Sequence, residues 1–282
     1  MSAAPSLHLV SPAPAAKQAV PAVELAAVSV DYGGSVLAVA DVALQLAEGE
    51  FLAIVGPSGC GKSTLLKIIC GLERPSRGVV RLRGQPVERV PAEVGFMFQR
   101  DALLPWATVR ENIAIGLECA SAQKREPGVA IDELLELVGL SRFGGFYPRA
   151  LSGGMRQRAA LGRILAYAPD IYLMDEPFGA LDAQTKLLMG QELLRIWARF
   201  GKAVVFVTHD IEEAVSLSDR VVVMSGRPGT IKSEYRIELP RPRLPREVRK
   251  IPNFHRYVDA IWNDIMSEPD RSHGISPDQT QV

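Results

Sequence analysis

Cysteine is scarce in this chain. The 282 residues hold three, Cys60, Cys70 and Cys119, scattered and odd in number. No disulfide framework and no metal-binding spacing follows from them, which suits a reducing compartment. Of the four histidines, His8, His255 and His273 show no ligand spacing. Neither sign of charge is in excess: Lys plus Arg and Asp plus Glu are 32 each. That balance argues against a dedicated nucleic-acid binder. No run approaches 18 consecutive apolar residues, so no segment reads as a membrane-spanning helix, and a membrane role would have to come through a partner. The Ala-, Pro- and Ser-rich stretch from Met1 to Val20 lacks the basic cluster and apolar run of a signal peptide and reads as a flexible tail over 1–20. What the chain does have is apolar content, at 47% enough for a sizeable core in one large domain or two small ones.

The densest signal lies early. Phe51 to Val55 are five apolar residues that read as a buried strand. The spacing G-x-x-x-x-G-K-[ST] follows in Gly56-Pro57-Ser58-Gly59-Cys60-Gly61-Lys62-Ser63-Thr64. Leu65, Leu66, Ile68 and Ile69 then recur at helical spacing. A strand feeding a glycine loop feeding a helix is the context of a phosphate-binding loop. Glycines let the loop curl so that successive N–H groups point at an anion, and the helix N-terminus adds partial positive charge there. Lys62 can reach the β- and γ-phosphates and Ser63 can bind Mg²⁺. Cys60 reads as a small filler.

Around this loop the chain alternates. Strands are predicted over Val23–Val30, Val36–Leu46, Val79–Arg83 and Val94–Phe98, with turns at Tyr32–Ser35, Pro75–Gly78 and Gly84–Pro86. Gly71 reads as the residue that ends the first helix. Residues 101–157 change to helical character. Thr108 and Glu111 form a capping-box pattern, and Ile131, Leu134, Leu135 and Val138 make an amphipathic face. The alternation then resumes: helix to Tyr167, strand Ile171–Met174, helix Gln184–Phe200, strand Ala203–Thr208, helix Ile211–Leu217, strand Val221–Met224. This predicts an α/β fold with a mainly parallel sheet. Arg241 to Arg256 holds six basic residues and one acid, followed by a short helix with Phe254, Val258, Ile261 and Ile265 on one face. It reads as a tail whose helix packs on the core, against a rival reading as a membrane-surface element.

Two further stretches carry chemistry. Ile171 to Glu176 is an apolar strand ending in two acids. Asp175 beside a phosphate loop can hold Mg²⁺, and Glu176 can polarise an attacking water. Leu151-Ser152-Gly153-Gly154-Met155 opens a helix; Ser152 reads as its N-cap, and Gly153 and Gly154 expose N–H groups as a second anion cradle.

Together these motifs resemble the ATP-binding cassette (ABC) transporter ATPases. Gly56 to Ser63 matches their Walker A motif, and Asp175 with Glu176 their Walker B aspartate and catalytic glutamate. Leu151 to Met155 is similar to their LSGGQ signature, with Met155 where glutamine is usual. Gln99 resembles the Q-loop glutamine, Ala180-Leu181-Asp182 the D-loop, His209 the H-loop histidine, and Tyr32 the aromatic that stacks on adenine. The pattern of 98–106, of Met224 to Gly229 and of Leu239 to Arg243 looks like the nitrate/sulfonate/taurine importer group.

The resemblance implies a P-loop NTPase with a RecA-like core, an antiparallel β subdomain and a helical insertion at about 101–157, within an ATPase domain over 21–238 and a basic, helical extension over 239–282. It implies ATP and Mg²⁺, with Ser63, Gln99 and Asp175 at the metal, and Glu176, His209, Lys62 and Gln99 at the reaction. Ser152, Gly153, Gly154 and Asp182 would face the ATP of a second copy of the chain across a two-fold interface. Further implied partners are integral membrane permease subunits at the cytoplasmic face of the inner membrane and, indirectly, a periplasmic solute-binding protein, with no nucleic acid. The rival readings are a soluble ABC-type ATPase acting on nucleic acid or ribosomes, and a P-loop kinase. Such a kinase would need neither Ser152-Gly153-Gly154 nor His209.

Overall fold

The computed structural model describes residues 20–33, 37–120 and 131–267. The expected tail over 1–20 falls outside them apart from Val20, as do Gly34, Ser35 and the end of the extension. The chain opens with strands β1 (Val23–Asp31) and β2 (Leu37–Leu46), paired antiparallel. Strand β3 (Phe51–Val55) leads into helix α1 (Lys62–Ile69), and Gly71 follows the helix, donating its N–H to Ile68. Strands β4 (Arg77–Leu82) and β5 (Gln85–Pro86) complete a four-stranded antiparallel sheet in the order β2-β1-β4-β5. Gln85 and Pro86, expected in a turn, are instead that sheet's outermost strand. An edge position tolerates proline because no ladder donor is needed there.

The helical segment begins after β6 (Val94–Met97). Helix α2 (Val109–Cys119) starts with the predicted capping box of Thr108 and Glu111. Helices α3 (Ile131–Leu137) and α4 (Gly153–Tyr167) follow. The remaining elements are β7 (Ile171–Asp175), α5 (Ala183–Phe200), β8 (Ala203–Val207), α6 (Ile211–Leu217), β9 (Arg220–Met224), β10 (Ile231–Arg236), α7 (Pro245–Val248) and α8 (Pro252–Met266). The second sheet has six strands in the order β10-β9-β3-β8-β7-β6. All its pairs are parallel except β10 with β9. Strand β10 has no counterpart in the sequence-based expectation. Its alternation of charge and polarity over Lys232, Ser233 and Glu234 hides it.

Every residue of β3, β7 and β8 is buried. Continuous apolar runs of this kind mark parallel strands covered on both faces. One face packs α1 and the antiparallel sheet, and another packs α4, α5 and the helical segment. A third cluster joins α6, β9, β10 and the C-terminal helix. In α8, Phe254, Tyr257 and Ile261 are buried, with Val258 and Ile265 packed beside them. The helix therefore lies on the core.

Asp264 of α8 accepts from the Tyr235 hydroxyl at 2.6 Å and from Ser233, and two arginines fasten the stretch before the helix. The Arg241 guanidinium stacks 4.2 Å from the Trp197 ring and donates to Asp219 at 2.6 Å and to the Leu217 carbonyl at 3.1 Å. Arg243 is only 4% exposed. It donates to the carbonyls of Ile237, at 2.7 Å, Leu239 and Ser218. Burial, with Arg241 adding to it, pushes this guanidinium down to about 10. Three carbonyls on one cation offset that cost, and one of them, from Ser218, closes the C-terminal end of α6, where positive charge is favoured.

The Arg243→Met variant leaves those three carbonyls without their donor. It is expected to lose about 2–3 kcal/mol of unfolding free energy in urea. The exposed pair between Arg249 and Glu212 sits at 2.8 Å on the same extension. Arg249→Ala should cost less than about 1 kcal/mol. Equal losses in the two variants would contradict the assigned role of the buried arginine.

Candidate functional site

Four neighbouring parallel strands, β3, β8, β7 and β6, end on the same edge of the sheet. The register sets Ile54 and Asp175 against Val207, and Met97 against Met174. The residues just beyond those ends are Gly56, Thr208 and His209, Glu176, and Phe98 and Gln99. This carboxyl edge is where open α/β sheets bind ligands.

The loop after β3 turns into α1 at Gly61, whose φ of +97° favours glycine. A Cβ there would stand 2.6 Å from Val39 Cγ2. Lys62 is buried and folds back over the loop, its Nζ donating to the Gly56 and Pro57 carbonyls, both at 2.8 Å. An ammonium has three donors; two pin the loop, and the third points to Cys60 Sγ at 3.7 Å, a weak acceptor that an anion can displace. Cys60 is buried beneath, and burial pushes its thiol up, which fits a filler role. Arg227, from the β9–β10 connection, donates Nε to the Gly59 carbonyl at 2.8 Å. In the sequence it reads only as part of a subgroup pattern.

Tyr32 is 55% exposed and stands by the start of α1. Its hydroxyl donates to Glu73 Oε2 at 2.5 Å and lies 3.3 Å from the Thr64 hydroxyl. Burial and the Glu73 carboxylate raise its pKa. A tethered, open aromatic beside the glycine loop offers a surface for a flat base.

The two acids divide their contacts. Asp175 is buried, which raises its carboxyl pKa, while the Ser63 hydroxyl at the start of α1 acts against that rise. Glu176 has φ +47° and donates its N–H to the Val207 carbonyl at 2.9 Å. Its Oε2 accepts from Gln99 Nε2 at 3.1 Å and lies 3.5 Å from His209 Nδ1. Gln99, Glu176 and His209, from three different strand ends, therefore meet at one carboxylate oxygen. Gln99 is tied here to Glu176 rather than to the Ser63–Asp175 pair. Behind His209, the Thr208 hydroxyl donates to Glu213 at 2.7 Å and accepts from the Asp210 N–H at 3.0 Å. Lys186 lies 3.1 Å from Glu213. Lys186 and Glu213 carry no motif and stand apart in sequence, so no local signal could have found them.

Among the described residues no group of three or more His, Cys, Asp or Glu could hold a metal. The Ser63 hydroxyl and Asp175 carboxylate nevertheless fit Mg²⁺. Such an ion is bound by one or two protein oxygens together with phosphate oxygens and water.

The second cradle is separate. Ser152 is exposed and caps α4, its hydroxyl accepting from the Met155 N–H at 3.2 Å. The atoms nearest a Cβ built on Gly153 or Gly154 belong to Ala180, Leu181 and Arg156. Those nearest one on Gly59 or Gly61 belong to Arg227, Val39 and Ala38. Gln157 ties the signature helix to the next loop, accepting from the Ala180 N–H at 3.1 Å. Asp182 caps α5, and its bonds from Thr185 hold its carboxyl below the usual range.

Known proteins resemble this chain along most of its length. Residues 39–179 match the family model described as ABC transporter. An uncharacterized ABC transporter ATP-binding protein of Methanocaldococcus jannaschii is 50% identical over 236 residues, covering 84% of this chain and 87% of its own. A nitrate import ATP-binding protein of Synechocystis is 44% identical over 243 residues, covering 84% and 91%. A taurine import ATP-binding protein of Jannaschia is 44% identical over 250 residues, covering 85% and 93%. A solved ATP-binding cassette, dimeric in a post-hydrolysis state with ADP and phosphate, superposes with a TM-score of 0.68 at 33% identity, over 77% of this chain and all of its own.

At Gly61 both backbone and space exclude a side chain. Gly61→Ala is expected to weaken ATP binding at least about fivefold, from roughly 1–3 kcal/mol of strain. Equilibrium titration with ATP, alongside a thermal melt showing the fold intact, checks this.

Proposed function

The chain belongs to the ABC transporter family as an ATP-binding subunit and is an ATPase, and we propose that it powers the uptake of a small anion-type solute through a separate membrane permease. The cargo class is nitrate, sulfonate or taurine, supported by relatives named for nitrate and taurine import. The observation that carries the catalytic reading is the meeting of Gln99, Glu176 and His209 at the edge that also bears the glycine loop.

In this reading the N–H groups of Gly59 to Ser63 and the Lys62 ammonium bind the phosphates, while the Tyr32 ring supports the adenine. Ser63 and Asp175 would hold Mg²⁺, which supplies charge neutralisation to the phosphate oxygens when bound. Glu176 accepts a proton from the attacking water. Gln99 and His209 hold its carboxylate and bring donors to the γ-phosphate side, where negative charge develops. Two copies work as a pair. The exposed Ser152, with Gly153 and Gly154 at a helix N-terminus, faces the γ-phosphate held by the partner, and Asp182 lines the same interface. A solved cassette that is dimeric with ADP and phosphate bound supports the pairing of two copies.

The permease would seat on a largely apolar groove of about 420 Å³ lined by Val90, Phe98, Leu104, Ile115, Arg163 and Tyr167. Phe98 adjoins Gln99, so a shift at the γ-phosphate has a short route to that seat. No helix among the described residues is long and apolar enough to cross a membrane, consistent with a peripheral subunit. We assign it to the cytoplasmic face.

Removing the proton acceptor separates binding from turnover. Glu176→Gln should bind ATP and pair with a second copy while hydrolysis falls about a hundredfold or more. Cells lacking the protein should lose uptake of labelled nitrate, taurine or an alkanesulfonate, restored by the wild type and not by the Glu176→Gln form. Normal turnover by the variant overturns the assignment of the acceptor, and unchanged uptake of all three solutes overturns the cargo class.

A further inference from the structure

The connection between β9 and β10 is closed on itself and pressed against the outside of the glycine loop. Ser225 and Thr230 tie its ends together: the Ser225 N–H donates to the Thr230 carbonyl at 2.9 Å, the Thr230 N–H to Ser225 Oγ at 2.9 Å, and the two hydroxyls lie 2.8 Å apart. Ser225 Oγ also lies 3.3 Å from the Pro228 carbonyl. From this clasp two residues reach the phosphate loop at consecutive positions. Arg227 Nε donates to the Gly59 carbonyl at 2.8 Å, and its Nη2 lies 2.7 Å from where a Gly59 Cβ would stand, so the guanidinium covers that glycine. Gly229 packs so closely that a Cβ there would fall 1.8 Å from the Cys60 carbonyl oxygen. The same glycine is laddered to β2, donating to Ala38 at 3.0 Å and accepting from Ala40 at 2.9 Å. Val39 of that strand is the residue that crowds Gly61.

We propose that Arg227 is a positioning residue for ATP, holding the glycine loop in its curled form from the outer side. The inference rests on the reading of Gly56 to Thr64 as the triphosphate loop. A loop that turns its N–H groups inward turns its carbonyls outward, and those carbonyls need donors or they pull the curl open. The Gly59 carbonyl and the Cys60 N–H belong to one peptide unit. That N–H donates to the Pro57 carbonyl at 3.4 Å, and a charged donor on the Gly59 carbonyl polarises the unit and strengthens this closure of the curl. Lys62 performs the matching task from within, on the Gly56 and Pro57 carbonyls. The loop is therefore held from both sides by cations, and their charge also favours a bound polyanion.

The test uses the full-length chain and a fluorescent ribose-labelled ATP analogue. Arg227→Ala should weaken its binding about five- to tenfold, within the net range of a single hydrogen bond. In steady state KM for ATP should rise in step while kcat changes less than about twofold, since the reacting groups at Glu176 are untouched. Arg227→Lys, which restores a cation but not the fork, should recover part of the loss. Arg236→Ala, an exposed arginine of the neighbouring strand, should bind as the wild type does. The proposal is overturned if Arg227→Ala binds with wild-type affinity. It is equally overturned if the loss comes with a matching fall in the Tm of the nucleotide-free protein, or if Arg227→Lys is no better than Arg227→Ala. Failure of the wild type itself to bind the analogue would instead overturn the assignment of the loop.

Discussion

Strands buried on both faces have room for polar groups only at their ends, and that constraint organises the molecule. Strands β3, β7 and β8 are apolar nearly from end to end, so each can change from core to chemistry only where it runs out. Because they run parallel and in register, all three run out on the same edge, with β6 beside them. A strand rises about 3.3 Å per residue. A slip of one residue between β7 and β8 would therefore carry Glu176 about that far from His209, now 3.5 Å away. It would also turn every side chain of the slipped strand to the other face. The packing of helices on both faces thus fixes the distances at the site more firmly than contacts within the site do.

What was legible in the sequence divides along the range of the physics. The glycine loop, the Thr108 capping box and the Ser152 cap all depend on residues within a few positions of each other, and each stands where local pattern put it. Gln99 and His209 are different. Neither has local chemistry that singles it out, and only resemblance to a family pointed to them. Strand β10 was invisible because its partner β9 supplies the order that its polar composition does not. Arg243 was hidden for a related reason. It belongs to a basic run that reads as solvated, yet three carbonyls from Ser218, Ile237 and Leu239 surround it, and one of those is 25 residues away. Sequence shows the charge; only the fold shows where its donors go.

Arginines on backbone carbonyls recur at both ends of the chemistry. Arg227 covers the loop after β3, and Arg243 with Arg241 covers the C-terminal end of α6. That helix begins next to His209, where Asp210 caps it and the Thr208–Glu213–Lys186 contacts brace the turn. The basic C-terminal extension is accordingly part of the scaffold behind the histidine. Arg241 and Arg243 bind the protein's own backbone carbonyls, and Arg249 and Lys250 pair with Glu212 and Glu247, leaving less charge for an anionic surface than the composition of the run suggests.

The separation of the two anion cradles bears on why such a chain would act in pairs. The loop at Gly56 to Thr64 can envelop a triphosphate from one side only, since its N–H groups and Lys62 converge from within a single curl. The γ-phosphate side stays open towards Glu176. Ser152, Gly153 and Gly154 offer what that open side lacks: free first-turn N–H groups at the start of a fifteen-residue helix, presented at the surface. Their neighbours within the chain are Ala180 and Leu181, so in the proposed dimer a second copy brings its cradle to this loop. A nucleotide shared in this way contributes its binding energy to association, and hydrolysis removes the very phosphate that links the halves. Tight ATP binding and release after hydrolysis then follow from one geometry, with no further switch required.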